Sequence, residues 1–129
     1  MSRRNISSGS HFEDLARYSR AVVDGDLIVV SGTVGTDPQS GTMPDSVEEQ
    51  ARNSFATIES ALRQAGASLD DVMRCGVYVT AVDHVQDVMR VLAEKFDRIR
   101  PANTTIVCQL PVPGAKVEIE VLARSRIAR

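Results

Sequence analysis

The sequence predicts an α+β fold in which a mixed sheet carries two helices on one face. The 17 valines among 129 residues favour a sheet, because β-branched side chains pack well on a pleated surface. Apolar residues recur at helical spacing in two segments. The elements follow the order ββαβαββ, and two helices cannot cover both faces of such a sheet. A partner subunit is therefore expected on the other face.

The first two strands are predicted as a hairpin. Residues 18–23 and 27–31 are β-rich runs joined by Asp24-Gly25-Asp26, and an Asp-Gly pair supplies the positive φ of a type I′ turn. The second run is apolar on both faces, which indicates that each face is covered.

Two polar segments flank this hairpin. Residues 1–14 include Ser-Ser-Gly-Ser and predict a flexible N-terminal arm on a single domain that spans residues 1–129. Residues 33–45 contain two glycines and two prolines and predict a loop with at most one short strand.

Capping residues, a glycine and a proline delimit the helices. The first helix is predicted to begin at Asp45 or Ser46, where Ser46-Val47-Glu48-Glu49 fits a capping box, and to end at Gly66. Its apolar face is Val47, Ala51, Phe55, Ile58, Leu62 and Ala65. The second helix is predicted from about Asp83 to just before Pro101, with the apolar face Val85, Val88, Met89, Leu92 and Phe96. The remaining strands are predicted over residues 72–80, 104–110 and 116–124.

Composition narrows the classes of function. A net charge of -2 argues against a basic nucleic-acid-binding module, so nucleic acid is not an expected partner. No apolar run is long enough for a membrane span. The N-terminus is polar and no apolar segment follows it, so no signal peptide is expected. Two cysteines and two histidines lie on different predicted elements. We therefore expect a cytoplasmic protein without a metal or another cofactor.

Candidate chemistry is sparse. His84 is interpreted as a surface residue and Cys75 as a core residue, whereas Cys108 could face either a cleft or the core. Glu118 and Glu120 alternate with valine and isoleucine on the last strand, so both carboxylates share one face. That face is either solvated or part of a cleft where a desolvated carboxylate could move protons.

In residues 15–124, the ordered set of motifs resembles the RidA/YjgF family of reactive intermediate deaminases. The motifs are Tyr18-Ser19-Arg20-Ala21-Val22, Ser31-Gly32, Gln50-Ala51-Arg52, Gln64-Ala65-Gly66, Arg100-Pro101-Ala102, Leu110-Pro111-Val112-Pro113-Gly114 and Val117-Glu118-Ile119-Glu120-Val121. The resemblance implies a chorismate-mutase-like fold, a homotrimer and small-molecule clefts between subunits. It also implies hydrolysis of enamines or imines to 2-keto acids and ammonia, with Glu118 as the catalytic carboxylate that handles the attacking water.

The sequence departs from the family at the arginine that binds the substrate carboxylate. Asn103 follows the Pro-Ala pair instead. The segment from this pair to Leu110-Pro111 is one residue shorter than is usual in the family, so alignment from its C-terminal end places Ala102 at the arginine position. Met89, Leu92 and Thr33 replace an asparagine, a tyrosine and a glutamine that the family has at these positions.

The retained and substituted residues define the expected site. Tyr18 and Ser31 match the family, Asn103 and Cys108 are further candidates for binding, and Arg17 and Arg20 replace a proline and a glutamine. Either arginine could supply a cation from another side of the cleft or be surface charge.

Three functions follow from this expected site. The first is a diverged deaminase-type hydrolase that is inefficient on 2-aminoacrylate, and the alternative is a non-catalytic trimer that binds a metabolite or a protein. Endoribonuclease or translation-inhibitor activity, a label that the family carries, has less support because the chain is acidic and poor in aromatic residues.

Overall fold

A computed structural model describes residues 2–126 as one mixed six-stranded sheet with three α-helices. The strands are β1 (Arg3–Ile6), β2 (Ala21–Asp24), β3 (Leu27–Val34), β4 (Val72–Val79), β5 (Ala102–Val107) and β6 (Val117–Arg124). The helices are α1 (His11–Ala16), α2 (Val47–Gln64) and α3 (Val85–Phe96), with short 3-10 turns at Leu69–Asp71 and Val82–His84. The predicted α+β class is confirmed.

The sheet order places the last strand at the centre. The order is β1-β2-β3-β6-β4-β5, and only the β4–β5 pair is parallel. Strand β6 is therefore hydrogen-bonded on both sides, to β3 and to β4. Both of these pairings contain an irregularity, between Val30 and Thr33 in β3 and between Val72 and Arg74 in β4.

The core lies between the sheet and helices α2 and α3. All six apolar residues predicted for the first helix are buried, and Phe55 meets Phe96 of α3 edge-on with ring centroids 5.4 Å apart. The Ser46 hydroxyl accepts the Glu49 N–H at 3.2 Å, and Gly66 adopts φ 79° after the last turn, as predicted.

Helix α3 differs from its prediction in detail. It begins at Val85, after the 3-10 turn, and ends at Phe96. Val91 is buried, whereas Met89 is 40% exposed. The reason is geometric, because residues 88, 91, 92 and 96 follow the narrow stripe of the helix that faces the core.

The segment predicted as a flexible arm instead contains β1 and α1, so the structure has a third helix. Strand β1 pairs antiparallel with β2 and buries Ile6. The Ser10 side chain caps α1, and Arg17 at its end adopts a left-handed φ of 62°. Hydrogen bonding to the sheet edge and burial of an apolar side chain therefore order a segment whose composition is polar.

The fifth strand is also shifted from its prediction. It covers Ala102–Val107 rather than residues 104–110, because it pairs with β4 from Arg74 to Val79. Strand β3 continues to Val34, into the segment predicted as a loop. Gln50 then fixes the following loop: its side chain donates to the Pro44 and Gly114 carbonyls and accepts from the Lys116 N–H.

Candidate functional site

Strand β6 presents its two glutamates on the sheet face opposite helices α2 and α3. Val117, Ile119 and Val121 are buried against the helices, and Glu118 and Glu120 point the other way. We call this side of the sheet the open face. The predicted alternation of the two carboxylates is confirmed.

Two glycines on the neighbouring strands make room for these carboxylates. A Cβ atom at Gly32 of β3 would lie 2.8 Å from Glu118 Oε2, and one at Gly76 of β4 would lie 3.0 Å from Glu120 Cγ. Glu118 therefore leans over β3, and Glu120 leans over β4. A side chain at Gly32 would require the Glu118 carboxylate to shift, and one at Gly76 would require Glu120 to move by a few tenths of an ångström.

The Glu118 carboxylate is half-buried and receives no hydrogen bond from the residues that the structure describes. Burial raises the pKa of Glu118, and the negative charge of Glu120 raises it further, whereas the positive charge of Arg20 opposes the rise. Such a carboxyl group can hold a proton at a higher pH than an ordinary glutamate does.

The environment of Glu120 is different. The Tyr78 hydroxyl donates a hydrogen bond of 2.7 Å to Glu120 Oε1. This bond to the carboxylate raises the pKa of Tyr78, with smaller contributions from burial and from the charge of Glu120. Two carboxylates on one strand thus differ in their partners.

Arg20 is buried beside Glu118 and makes a dense set of contacts. It is 5% exposed, so its interpretation as surface charge is wrong. Its Nε lies 3.3 Å from Glu13 Oε2, and Nη1 donates to the Gly32 carbonyl at 2.8 Å and to Thr33 Oγ1 at 3.0 Å. Its guanidinium carbon lies 5.5 Å from the centre of the Tyr18 ring.

The charge of Arg20 is balanced by Glu13 of α1. Glu13 is 4% exposed and accepts hydrogen bonds from Ser7 and Ser8. Burial works against ionisation of Glu13, but these hydrogen bonds and Arg20 outweigh it and lower the pKa of Glu13. Arg20 is therefore one half of a buried ion pair that packs beneath Tyr18.

Tyr18 and Ser31 border the Glu118 side of the open face. Tyr18 is 40% exposed, and its hydroxyl lies 3.5 Å from Arg20 Nη2. The Ser31 hydroxyl donates to the Ser19 carbonyl at 2.6 Å, which leaves its oxygen able to accept.

Asn103 lies on the other side of the sheet from Glu118. It pairs with Cys75 and lines a shallow concavity of about 360 Å³ with α3 residues that include Met89 and Phe96. Ala102 lies on the same side of the sheet as Glu118, since it pairs with Arg74, whose guanidinium reaches Thr104. Asn103 and Glu118 of one chain thus cannot contact the same small ligand.

The other predicted site residues lie outside this group. Arg17 is exposed at the end of α1, with no hydrogen bond or ion pair to the described residues around Glu118. Cys108 follows β5 as a partly buried free thiol, and its N–H donates to the Val79 carbonyl. Cys75 is buried, as predicted, and burial raises the pKa of its thiol to about 12.

Sequence reasoning missed three residues of this arrangement. Glu13 falls in the segment predicted as an arm, and Tyr78 and Arg74 were treated only as strand residues. The pairing of β4 with β6, which brings Tyr78 opposite Glu118, was the missing information. The sequence of β6 alone does not show which strand lies beside its glutamates.

Neither a metal site nor a membrane span is found in residues 2–126. Their His, Cys, Asp and Glu side chains form no group of three or more that could hold a metal ion. No helix of this part of the chain has the length and apolar character needed to cross a membrane.

Comparisons with known proteins agree with the fold. A family model described as Endoribonuclease L-PSP matches residues 9–125. The solved structure of Rv2704 from Mycobacterium tuberculosis, a member of the YjgF/YER057c/UK114 family, is 43% identical with a TM-score of 0.87, covering 96% of this chain and 100% of that chain.

Curated relatives include a named deaminase. The 2-iminobutanoate/2-iminopropanoate deaminase of Capra hircus is 32% identical over 123 residues, which are 94% of this chain and 89% of the relative. A RutC family protein of Pyrococcus abyssi is 32% identical over 108 residues, which are 82% of this chain and 84% of the relative. With the family model matched over nearly the whole chain, the protein belongs to the YjgF/Rid family.

Proposed function

We propose that this protein hydrolyses the carbon–nitrogen bond of a small imine or enamine, with Glu118 as the catalytic acid and base. The observation that carries this proposal is the Glu118 carboxylate, which is half-buried on the open face and has no hydrogen-bond donor among the described residues. A carboxyl group in such a place is free to exchange a proton with water and substrate.

The chemistry needs only one group that moves protons. Ionised Glu118 takes a proton from water as the water oxygen bonds to the imine carbon. Protonated Glu118 then gives that proton to nitrogen, which forms a neutral carbinolamine. Ionised Glu118 next moves the proton of the new hydroxyl group to nitrogen as the carbon–nitrogen bond breaks, and the products are a carbonyl compound and ammonia or an amine. An enamine first takes a proton on carbon and releases one from nitrogen to become the imine. Positioning and a dry cleft contribute the rest of the acceleration.

We place the reaction at subunit contacts of a cytoplasmic homotrimer. Val29 on the open face is 52% exposed and Ile106 on β5 is 45% exposed, which favours coverage by another copy. Within one chain, Asn103 and the concavity that it lines are on the other side of the sheet from Glu118. The Asn103 concavity of a neighbouring copy could therefore face the Glu118 of this chain. This arrangement would make the cleft from two subunits.

The substrate is expected to lack a carboxylate. Glu13 balances the charge of Arg20, Ala102 contributes no cation to the open face, and Arg74 on that face is bonded to Thr104. Loss of a cation from a desolvated carboxylate partner typically costs about 2–5 kcal/mol, or roughly 30- to several-thousand-fold in affinity. The 2-imino acids in the name of the Capra hircus relative are therefore expected to be poor substrates here.

The direct test compares two imine classes with the purified protein. One class is 2-aminoacrylate, formed in situ by an amino-acid dehydratase, and the other is carboxylate-free imines, formed in situ from primary amines by an amine oxidase. We expect faster imine loss with the second class and little acceleration with the first. Glu118→Gln should reduce the catalysed rate by about 10²–10⁴-fold.

Glu49→Gln is the matched control, because Glu49 lies on α2 away from the open face and the substitution makes the same change of charge. Equal rates for Glu118→Gln and the unsubstituted protein would overturn the proposal. Binding of imines without turnover would instead favour a non-catalytic trimer that binds a metabolite. RNA cleavage that vanishes in Glu118→Gln would favour the activity named in the family description.

A further inference from the structure

Glu120 has a partner and a prepared space, although the proposed reaction needs only Glu118. Its carboxylate accepts the 2.7 Å bond from the Tyr78 hydroxyl. The absence of a side chain at Gly76 leaves room for this pair, since a Cβ atom there would lie 3.0 Å from Glu120 Cγ and 3.5 Å from the Tyr78 hydroxyl. The bond between Tyr78 and Glu120 thus depends also on Gly76, the neighbour of Glu120 on β4.

Glu118 and Glu120 are chemically alike but differently placed. They lie two residues apart on one face of β6, and only Glu120 receives a hydrogen bond from the described protein groups. A hydrogen bond donated to a carboxylate favours its ionised form, whereas desolvation favours the protonated form. The negative charge of Glu120 therefore acts on a neighbouring carboxyl group whose pKa burial already raises.

The groups that face Glu118 come from four places. Strand β3 contributes Gly32, and the segment before β2 contributes Arg20, which also carries the stacked Tyr18 ring. Strand β4 places Tyr78 directly opposite Glu118, and β6 contributes Glu120. Glu13 balances Arg20, and Arg74 of β4, on the same face, bonds to Thr104, so no cation is bonded to Glu120 among residues 2–126.

We infer that Glu120 is a positioning residue: the Tyr78 hydroxyl holds its carboxylate in the space left by Gly76, so that a fixed negative charge lies two residues from Glu118 on the same face of β6. The same charge favours a protonated imine nitrogen over an anionic group in the space above β6. Tyr78 acts through Glu120 and touches no reacting atom. The catalytic consequence rests on the proposed function, but the effect on the proton of Glu118 does not.

The test is an NMR titration of the full chain labelled with ¹³C at the glutamate carboxyl carbons. Glu118→Gln identifies the Glu118 signal by removing it. We expect Glu120→Gln to lower the titration midpoint of Glu118, because the substitution removes a negative charge that disfavours ionisation of Glu118. Tyr78→Phe, which keeps the ring and removes the donor, should shift the Glu118 midpoint less than Glu120→Gln does, because the charge of Glu120 remains.

The control is Glu49→Gln, which should leave the Glu118 midpoint unchanged. If imine hydrolysis is observed, the acid limb of kcat/KM against pH should shift by the same amount as the NMR midpoint in Glu120→Gln. An unchanged Glu118 midpoint in Glu120→Gln would overturn the inference. Absence of any turnover together with a shifted midpoint would overturn the proposed function and leave the inference standing.

Discussion

Glu118 places a charge where the fold disfavours one. Its carboxylate is half-buried, and no hydrogen bond from the described residues compensates for the water that it loses. The raised pKa means that Glu118 keeps its proton to a higher pH in the folded chain than in the unfolded chain, which releases it near the ordinary value of 4.5. Ionisation of Glu118 therefore opposes folding.

Because ionisation of Glu118 opposes folding, we expect Glu118→Gln to be more stable than the unsubstituted protein at pH 7. Below the ordinary value of 4.5, Glu118 is protonated in both states, and the advantage disappears. As the pH rises through 4.5 toward the higher pKa of the folded state, the unsubstituted protein loses stability and the variant does not. A gain of about 0.5–2 kcal/mol is the usual size for such replacements. Urea unfolding at pH 4 and pH 7 measures the difference, and a variant that is less stable at pH 7 would contradict the prediction.

Among the elements, β1 and α1 are held by hydrogen bonds and an ion pair more than by apolar packing. Helix α1 exposes Phe12 and Leu15, and its buried residue is Glu13. The ion pair of Glu13 with Arg20 joins the helix to the residues before β2 and, through Arg20, to the Gly32 carbonyl of β3. The N-terminal segment and the support of the Glu118 region are thus one unit.

Breaking this ion pair from one side is expected to be costly. Arg20→Met or Glu13→Gln alone leaves a buried group without its partner, and such losses typically cost about 3–5 kcal/mol. The double variant should cost less than the sum of the single ones. The measurement is a double-mutant cycle by urea unfolding, and additive effects would show that the two side chains do not interact.

The same pair also predicts a dependence on pH. Because the pKa of Glu13 is lowered, its contribution to stability is present above the ordinary value of 4.5 and is lost as the pH falls through the value in the folded state. Glu13→Gln should therefore show a shallower loss of stability in acid than the unsubstituted protein. Similar acid slopes for the two proteins would contradict this assignment.

The elements that sequence patterns predicted well are those that local signals define. The face of α2 follows from its 3.6-residue period, and the alternation on β6 follows from its period of two. The N-terminal strand was missed because its order comes from pairing with β2. The bounds of β5 were missed because pairing with β4 sets them, and no local signal marks them.

The candidate site shows the same division. Glu118 could be selected from the strand pattern and the family resemblance, and Tyr18 and Ser31 from the resemblance alone. The bond between Tyr78 and Glu120 joins residues 42 positions apart, and only the register of β4 against β6 brings them together. The burial of Arg20 required a partner from a segment whose polar composition suggested disorder.

For the molecule as a whole, the open face is the surface that a homotrimer would cover. Val29 lies at its middle, opposite Leu122 of β6, with half of its surface exposed. We expect sedimentation velocity to give a particle of three times the 14.0 kDa chain mass. Val29→Asp would bury a charge in the interface and should shift the particle toward the monomer.

The matching control is Asp24→Asn at the end of β2, an exposed residue whose replacement should leave the assembly unchanged. A monomer in the unsubstituted protein at micromolar concentration would contradict the trimer. A trimer that persists in Val29→Asp would show that the contact uses another surface.

The central position of β6 has a consequence for how selectivity can change. Hydrogen bonds to β3 and β4 hold this strand from both sides, and its apolar side chains are fixed in the core. The two glutamates are therefore preorganised and cannot adjust to different ligands by moving the backbone. Adaptation to a new substrate would have to come from the surrounding loops, the sheet edges or a neighbouring copy, while the proton-handling strand stays the same.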